Sequence, residues 1–276
     1  ETVAQEKATG LYGVPTMFIA MLDQPRRGEF DLSSLRTGIM AGATCPIEVM
    51  RRVISEMHMS EVQIAYGMTE TSPVSLQTGP SDDLELRVTT VGRTQPQLES
   101  KIIDEAGNIV PRDAVGELCT RGYSVMLGYW NNPDGTRDAI DDAGWMHTGD
   151  LATMDEHGYV CIVGRNKDMI IRGGENVYPR EIEEFLFGHS AVADVQVVGI
   201  PDDKYGEEIV AWVKCHPGHE ASDEQLRAFC KGRIAHFKVP RHFLFVDDFP
   251  MTVTGKVQKF RMRELSIETL AGGQSS

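Results

Sequence analysis

Gly164-Arg165-Asn166-Lys167-Asp168-Met169-Ile170-Ile171-Arg172-Gly173-Gly174-Glu175-Asn176-Val177-Tyr178-Pro179 is the stretch on which the organisation of this chain turns. A charged segment, a short strand, paired glycines and a helix start follow in order. Pro179 suits the first turn of a helix, where its missing N–H would have found no carbonyl partner. Ile182, Phe185 and Leu186 then fall on one helical face, and Gly188 is a natural stop. Paired glycines serve a sharp turn or let a narrow ligand pass the backbone. By themselves they fit a simple hairpin equally well.

The texture of the chain changes here. Residues 1–165 carry 24 acids against 13 bases, whereas residues 166–276 carry 17 against 14. Downstream, Val192–Ile200 and Glu208–Cys215 read as strands. Ser222 with Gln225 forms a capping box that opens a helix lined by Leu226, Phe229, Cys230 and Ile234. Residues 166–276 thus read as a compact α+β domain. Upstream, Val49, Val53 and Ile54 place an amphipathic helix after Pro46, and 62–66 reads as a strand running into a glycine loop. Alternation of this kind over about residues 1–85 indicates an α/β sheet. Over about 86–165 the short β-rich runs Ser100–Asp104, Gly116–Arg121 and Gly158–Val163 indicate a small β-barrel or a distorted antiparallel sheet.

The whole chain has 276 residues, which at ~150 residues per domain gives about two domains. Its 27 Lys+Arg against 41 Asp+Glu leave a net charge of −14, which disfavours a nucleic-acid partner. No apolar run approaches the ~20 residues of a membrane helix. The five cysteines are scattered without Cys-x-x-Cys spacing and read as reduced thiols of a cytoplasmic compartment.

Three further segments carry chemistry. Tyr66-Gly67-Met68-Thr69-Glu70-Thr71 follows a strand, where open α/β sheets place ligands. It offers an aromatic ring for a base, a hydroxyl for phosphate and a carboxylate for Mg²⁺. It also fits a plain glycine turn with a capping Thr. Trp145-Met146-His147-Thr148-Gly149-Asp150 has Arg165 fifteen residues beyond its Asp. Asp150 can accept from both ribose hydroxyls and Arg165 can add a donor fork. A turn Asp and a surface Arg fit the same residues, and His147 reads as a partly buried turn histidine. Pro250-Met251-Thr252-Val253-Thr254-Gly255-Lys256-Val257-Gln258-Lys259 has the Gly-Lys of a phosphate loop but lacks the rest of that pattern. Lys256 can still reach a phosphate as a point charge. Lys259, Arg261 and Arg263 continue a basic run that suits a second phosphorylated ligand or a solvated face.

In this order the segments resemble the adenylate-forming superfamily of acyl-CoA synthetases, adenylation domains and luciferases. Together with Gly116-Glu117-Leu118 and Met126-Leu127-Gly128-Tyr129, they look most like fatty acyl-CoA synthetases of the medium-chain type. The resemblance implies formation of an acyl-AMP from a carboxylic acid and Mg·ATP, then replacement of AMP by CoA. It places Tyr66 and Gly67 near the adenine, Thr69 on the α-phosphate and Glu70 on Mg²⁺. Asp150 and Arg165 would hold the ribose, and Lys256 would bridge the acyl carboxylate and the α-phosphate. Gly42 and Ala43, within Met40-Ala41-Gly42-Ala43-Thr44-Cys45-Pro46, would border the nucleotide and the acyl pocket. Lys167 stands at the family's hinge, where many relatives have Asp, and Gly173-Gly174 would flank the CoA channel.

The family's Ser/Thr/Gly-rich phosphate loop ending in Pro-Lys-Gly has no counterpart in residues 1–63. The resemblance therefore implies the C-terminal half of a synthetase. Residues 1–165 would be the C-terminal part of the large domain, a partial α/β sheet plus a distorted β-barrel, and 166–276 the complete small α+β domain. It also implies no turnover by this chain alone. Alternatives are an adenylation domain loading a carrier protein and a non-catalytic folding unit. Homo-oligomerisation is left open.

Overall fold

The computed structural model describes residues 1–43, 45–252 and 257–272. The chain divides into two compact units, Glu1–Ile162 and a second from Val163 onward.

The first unit opens with α1 (Thr2–Glu6), β1 (Gly10–Gly13), α2 (Pro15–Leu22), β2 (Thr37–Ala41), α3 (Ile47–Glu56) and β3 (Glu61–Tyr66). β1, β2 and β3 are parallel neighbours, so their C-terminal ends lie along one edge. Two antiparallel strands, β4 (Leu76–Gln77) and, after α4 (Leu84–Thr89), β5 (Arg93–Thr94), complete a five-stranded sheet in the order β1-β2-β3-β4-β5. As expected, α3 begins after Pro46 and buries Val49, Met50 and Val53. They join Phe18, Leu22, Met40, Val62 and Ile64 in one core, which places α2 and α3 against the sheet.

The β-rich portion comprises β6 (Leu98–Ile103), β7 (Gly116–Gly122), α5 (Pro133–Ala139), β8 (Met146–Met154) and β9 (Val160–Arg165). It is an open sheet in the order β6-β7-β8-β9, so the barrel expectation gives way to the antiparallel-sheet alternative. The outer strands β6 and β9 are not paired with each other, so the sheet does not close.

The second unit contains β10 (Ile170–Arg172), β11 (Glu175–Val177), α6 (Pro179–Phe187), β12 (Val192–Asp202), β13 (Gly206–Cys215), α7 (Asp223–Cys230), β14 (His242–Phe245) and α8 (Lys259–Gly272). Pro179 begins α6 and Gly188 caps it. β12 and β13 form a long antiparallel pair, β10 and β14 flank β13, and α6 and α7 cover the buried valines of the sheet. The capping box at Ser222 is present, with its hydroxyl accepting from Gln225 N and the Gln225 side chain accepting from Ser222 N. One expectation fails locally. The helix from Ser222 stops at Cys230 and excludes Ile234: Lys231 already leaves helical geometry with ψ 121°, and Gly232 follows at φ +73°. Ile234 instead packs against the same core from the following loop.

Candidate active site

Four of the expected residues gather at the C-terminal edge of the parallel strands. Gly42 and Ala43 follow β2 and are exposed, with Gly42 at φ +86°. Tyr66 ends β3, and Gly67 begins the connection to β4. A Cβ on Gly67 would lie 1.7 Å from the Pro73 carbonyl oxygen, so chain packing alone demands glycine there. Residues Thr69–Thr71 form one 3-10 turn, anchored by Thr71. Thr71 is fully buried; its hydroxyl accepts from Met68 N at 3.2 Å and donates to Met68 O at 3.1 Å. This anchor leaves Thr69 exposed and Glu70 half-buried.

Glu70 has a neighbour to which the sequence reading assigned no role. The Tyr129 hydroxyl donates to Glu70 Oε1 at 2.9 Å, and Met126 N donates to the Glu70 backbone carbonyl at 2.8 Å. The hydrogen bond to the carboxylate raises the Tyr129 phenol above its ordinary range. Among the described residues, Glu70 Oε2 has no hydrogen-bond partner, and a half-exposed carboxylate oxygen is the hard donor that Mg²⁺ takes.

Asp150 reaches Tyr66 from β8. The Tyr66 hydroxyl donates to Asp150 Oδ2 at 2.5 Å. What aims Asp150 is an irregularity in the β7–β8 ladder. Cys119 faces His147 and Glu117 faces Leu151, so Thr148, Gly149 and Asp150 together oppose Leu118 alone. Gly149 takes φ +69°, a left-handed value that glycine adopts without penalty. Glu117 accepts from Gly149 N at 3.0 Å through one oxygen and lies 2.9 Å from His147 Nδ1 through the other. Glu117, Cys119 and His147 bring one ligand atom each to within 4.8 Å of one another.

The remaining expected residues belong to the second unit. Arg165 ends β9 and is exposed. Lys167 is exposed in a single 3-10 turn, Asn166–Asp168. Gly173 and Gly174 form a two-residue hairpin between β10 and β11, at φ +62° and +87°, which is the hairpin alternative. Gly173 N donates to Tyr205 O at 2.7 Å. The Arg172 guanidinium behind the hairpin reaches the buried Glu208, with Nε 2.6 Å from Oε1. Lys256 lies outside the described residues.

The cations of the basic run after Lys256 each lie beside a carboxylate, with Arg261 exposed and Arg263 half-buried. Lys259 Nζ lies 2.6 Å from Glu183 Oε1 and 3.2 Å from the Val197 carbonyl oxygen. Arg261 pairs with Glu264 and Arg263 with Glu207, at 2.7 and 3.0 Å. Arg261 meets a carboxylate one helical turn on, whereas Lys259 and Arg263 meet carboxylates distant in sequence.

Known proteins resemble this chain in sequence and fold. The family model described as AMP-binding enzyme matches residues 1–130, and that described as AMP-binding enzyme C-terminal domain matches residues 181–256. YngI of Bacillus subtilis (strain 168), by name an acyl-CoA synthetase, is 57% identical over 270 residues, covering 97% of this chain and 49% of that protein. The human mitochondrial medium-chain acyl-CoA ligase ACSF2 is 48% identical over 265 residues, covering 96% of this chain and 43% of that protein. Among solved structures, the amide bond synthetase McbA from Marinactinospora thermotolerans superposes with a TM-score of 0.88 at 33% identity, over 96% of this chain and 53% of that one. The chain thus spans about half the length of the relatives it matches. With both family models matched in order on this fold, the chain belongs to the AMP-binding, adenylate-forming enzyme family.

Proposed function

We propose that this chain carries the nucleotide-facing and small-domain portions of an AMP-forming fatty acyl-CoA ligase. The observation that carries the reading is the hydrogen bond between Tyr66 and Asp150 at the edge where parallel strands end, with Thr69 and Glu70 on the turn that follows Tyr66 in the chain. Bound ATP and Mg²⁺ would supply the leaving pyrophosphate and charge neutralisation at the α-phosphate. Gly42, Ala43, Tyr66 and Gly67 border the adenosine. Thr69, raised to the surface by Thr71, contacts the α-phosphate, and Glu70 Oε2 is the metal donor. Asp150 accepts from the ribose hydroxyls with Arg165 as the second ribose group. Lys256 positions the acyl carboxylate against the α-phosphate, where catalysis is mostly alignment and charge stabilisation.

In the second half-reaction CoA attacks the acyl-AMP. Lys167 is the hinge and the Gly173-Gly174 hairpin flanks the pantetheine arm, supported by its exposure and its lack of side chains. The likeness to an acyl-CoA synthetase and ligase favours CoA over a carrier protein as acceptor, and a fatty acid over other carboxylic acids. The amide-forming neighbour makes an amine the competing acceptor to test. A reducing cytoplasmic compartment suits the five scattered cysteines, and no helix of the described residues is long and apolar enough to cross a membrane.

Two measurements test this. Calorimetry of the purified chain with AMP should show binding that Asp150→Asn weakens about tenfold; equal affinity in both would remove Asp150 from the site. Fusing the chain to the N-terminal half of the Bacillus subtilis relative should give AMP release that requires a fatty acid and CoA. Release with an amine but not CoA would instead establish amide formation. The chain alone should show no pyrophosphate exchange above a Lys256→Ala control.

A further inference from the structure

We propose that Glu117 is a positioning residue for nucleotide binding, holding through Gly149 and His147 the bulge that aims Asp150 at its ligand. This rests on the reading of Asp150 as the ribose acceptor.

A bulge leaves backbone groups without ladder partners, and a buried N–H without a partner is costly. Here side chains supply them. Glu117 Oε1 accepts from Gly149 N, the Thr148 hydroxyl accepts from Asp150 N at 3.1 Å, and that hydroxyl donates to Leu118 O at 2.7 Å. Glu117 Oε2 faces His147 Nδ1 across the strand pair, and His147 Nε2 lies 3.8 Å from Asp141 Oδ2. One carboxylate therefore clamps the bulge on both sides of Thr148. With Asp150 one residue beyond Gly149, a shift of that glycine carries the Asp150 carboxylate away from Tyr66.

Glu117, Cys119 and His147 also have the composition of a metal site. The clamp describes them better. Both Glu117 oxygens face protein nitrogens and Cys119 is fully buried.

The test compares AMP with 2′,3′-dideoxy-AMP, which lacks the ribose hydroxyls, by calorimetry on the wild-type chain, Glu117→Ala and Glu117→Gln. Thermal melts run alongside check folding. The wild-type chain should prefer AMP. Glu117→Ala should lose about tenfold in AMP affinity and less than about twofold for the dideoxy nucleotide. Glu117→Gln should keep most of the preference, because its amide oxygen still accepts from Gly149 N. An equal loss for both nucleotides in Glu117→Ala would show a merely structural role and overturn the inference, as would an unchanged preference. Absence of any preference in the wild-type chain would instead overturn the ribose reading of Asp150, and this inference with it.

Discussion

The hydroxyl of Tyr66 and Oδ2 of Asp150 stand 2.5 Å apart across 84 residues of chain. That contact links the last residue of a parallel strand in one sheet to a bulge in another. Tyr66→Phe keeps the ring and removes the donor. Hydrogen bonds to charged groups contribute about 1.5–3 kcal/mol, and the half-buried Tyr66 argues for the lower end. We expect roughly 1.5 kcal/mol lost in urea unfolding, together with weaker AMP binding in calorimetry. A variant with wild-type stability and affinity would show that the contact positions nothing.

Gly67 and Gly28 make a matched pair of alanine substitutions. At Gly67 the new methyl would collide with the Pro73 backbone, which cannot swing aside as a side chain does. Gly67→Ala should cost about 2 kcal/mol or more and displace the Thr69–Thr71 turn. At Gly28 a Cβ meets nothing within 4 Å. Gly28→Ala should therefore stay within about 0.5 kcal/mol of wild type. Circular-dichroism melts decide the matter, and equal melting temperatures for the two variants would refute the packing argument.

Arg172 and Glu208 form a buried ion pair behind the glycine hairpin, the arginine also donating to the Phe237 carbonyl oxygen at 2.7 Å. Removing one partner leaves the other charge desolvated, which costs about 3–5 kcal/mol. Arg241, 3.6 Å from Glu208, offsets part of that after loss of Arg172. Arg172→Ala should thus cost about 3 kcal/mol, and the double variant Arg172→Met, Glu208→Leu distinctly less. Hydrogen exchange of the β12 and β13 amides reports the second unit directly. A single-variant loss under about 1 kcal/mol would mean water reaches the pair.

Burial pushes the thiols of Cys45 and Cys119 up to about 12, with the Glu117 charge adding to the effect on Cys119. At pH 8 an ordinary thiol near 8.5 is roughly a quarter ionised, whereas these two hold about one thiolate in ten thousand. Iodoacetamide followed by mass spectrometry should label the half-exposed Cys215 well before either of them. The linkage follows the same direction. Unfolded thiols release their protons from about pH 8.5 while the folded ones retain theirs, so stability is full below that pH and declines toward about pH 12. Replacing both by Ala should flatten part of that decline in melts between pH 8 and 10. An identical slope would assign the alkaline loss to other groups.

Much of the second unit was legible because its signals are local. Pro179, Gly188 and the Ser222/Gln225 box each act within one helical turn, and the helices begin where they indicate. Apolar periodicity extends to Ile234, but the backbone leaves the helix at Lys231 and turns at Gly232, a change that periodicity does not register. The order of strands was less accessible. β14 runs parallel to β13 after an intervening helix, and nothing in either strand's periodicity names its neighbour.

At the candidate site the division is similar. Tyr66, Glu70 and Asp150 were identifiable from motif composition, since ring, carboxylate and glycine turn each advertise a chemical capacity. Tyr129 and Glu117 stand in segments that carry the resemblance, but nothing in the sequence attaches a role to either. Their importance comes from partners 59 and 32 residues away, Glu70 and Gly149. The amino-acid sequence by itself determined the helix and strand signals, the motif order and the family resemblance, because these depend on residues close along the chain. Only the tertiary structure decided the open sheet over the barrel, the bulge that turns Asp150 toward Tyr66, and the pairing of Lys259 with Glu183. Those outcomes depend on strand register and on desolvated contacts between distant segments, which form only when the whole unit packs.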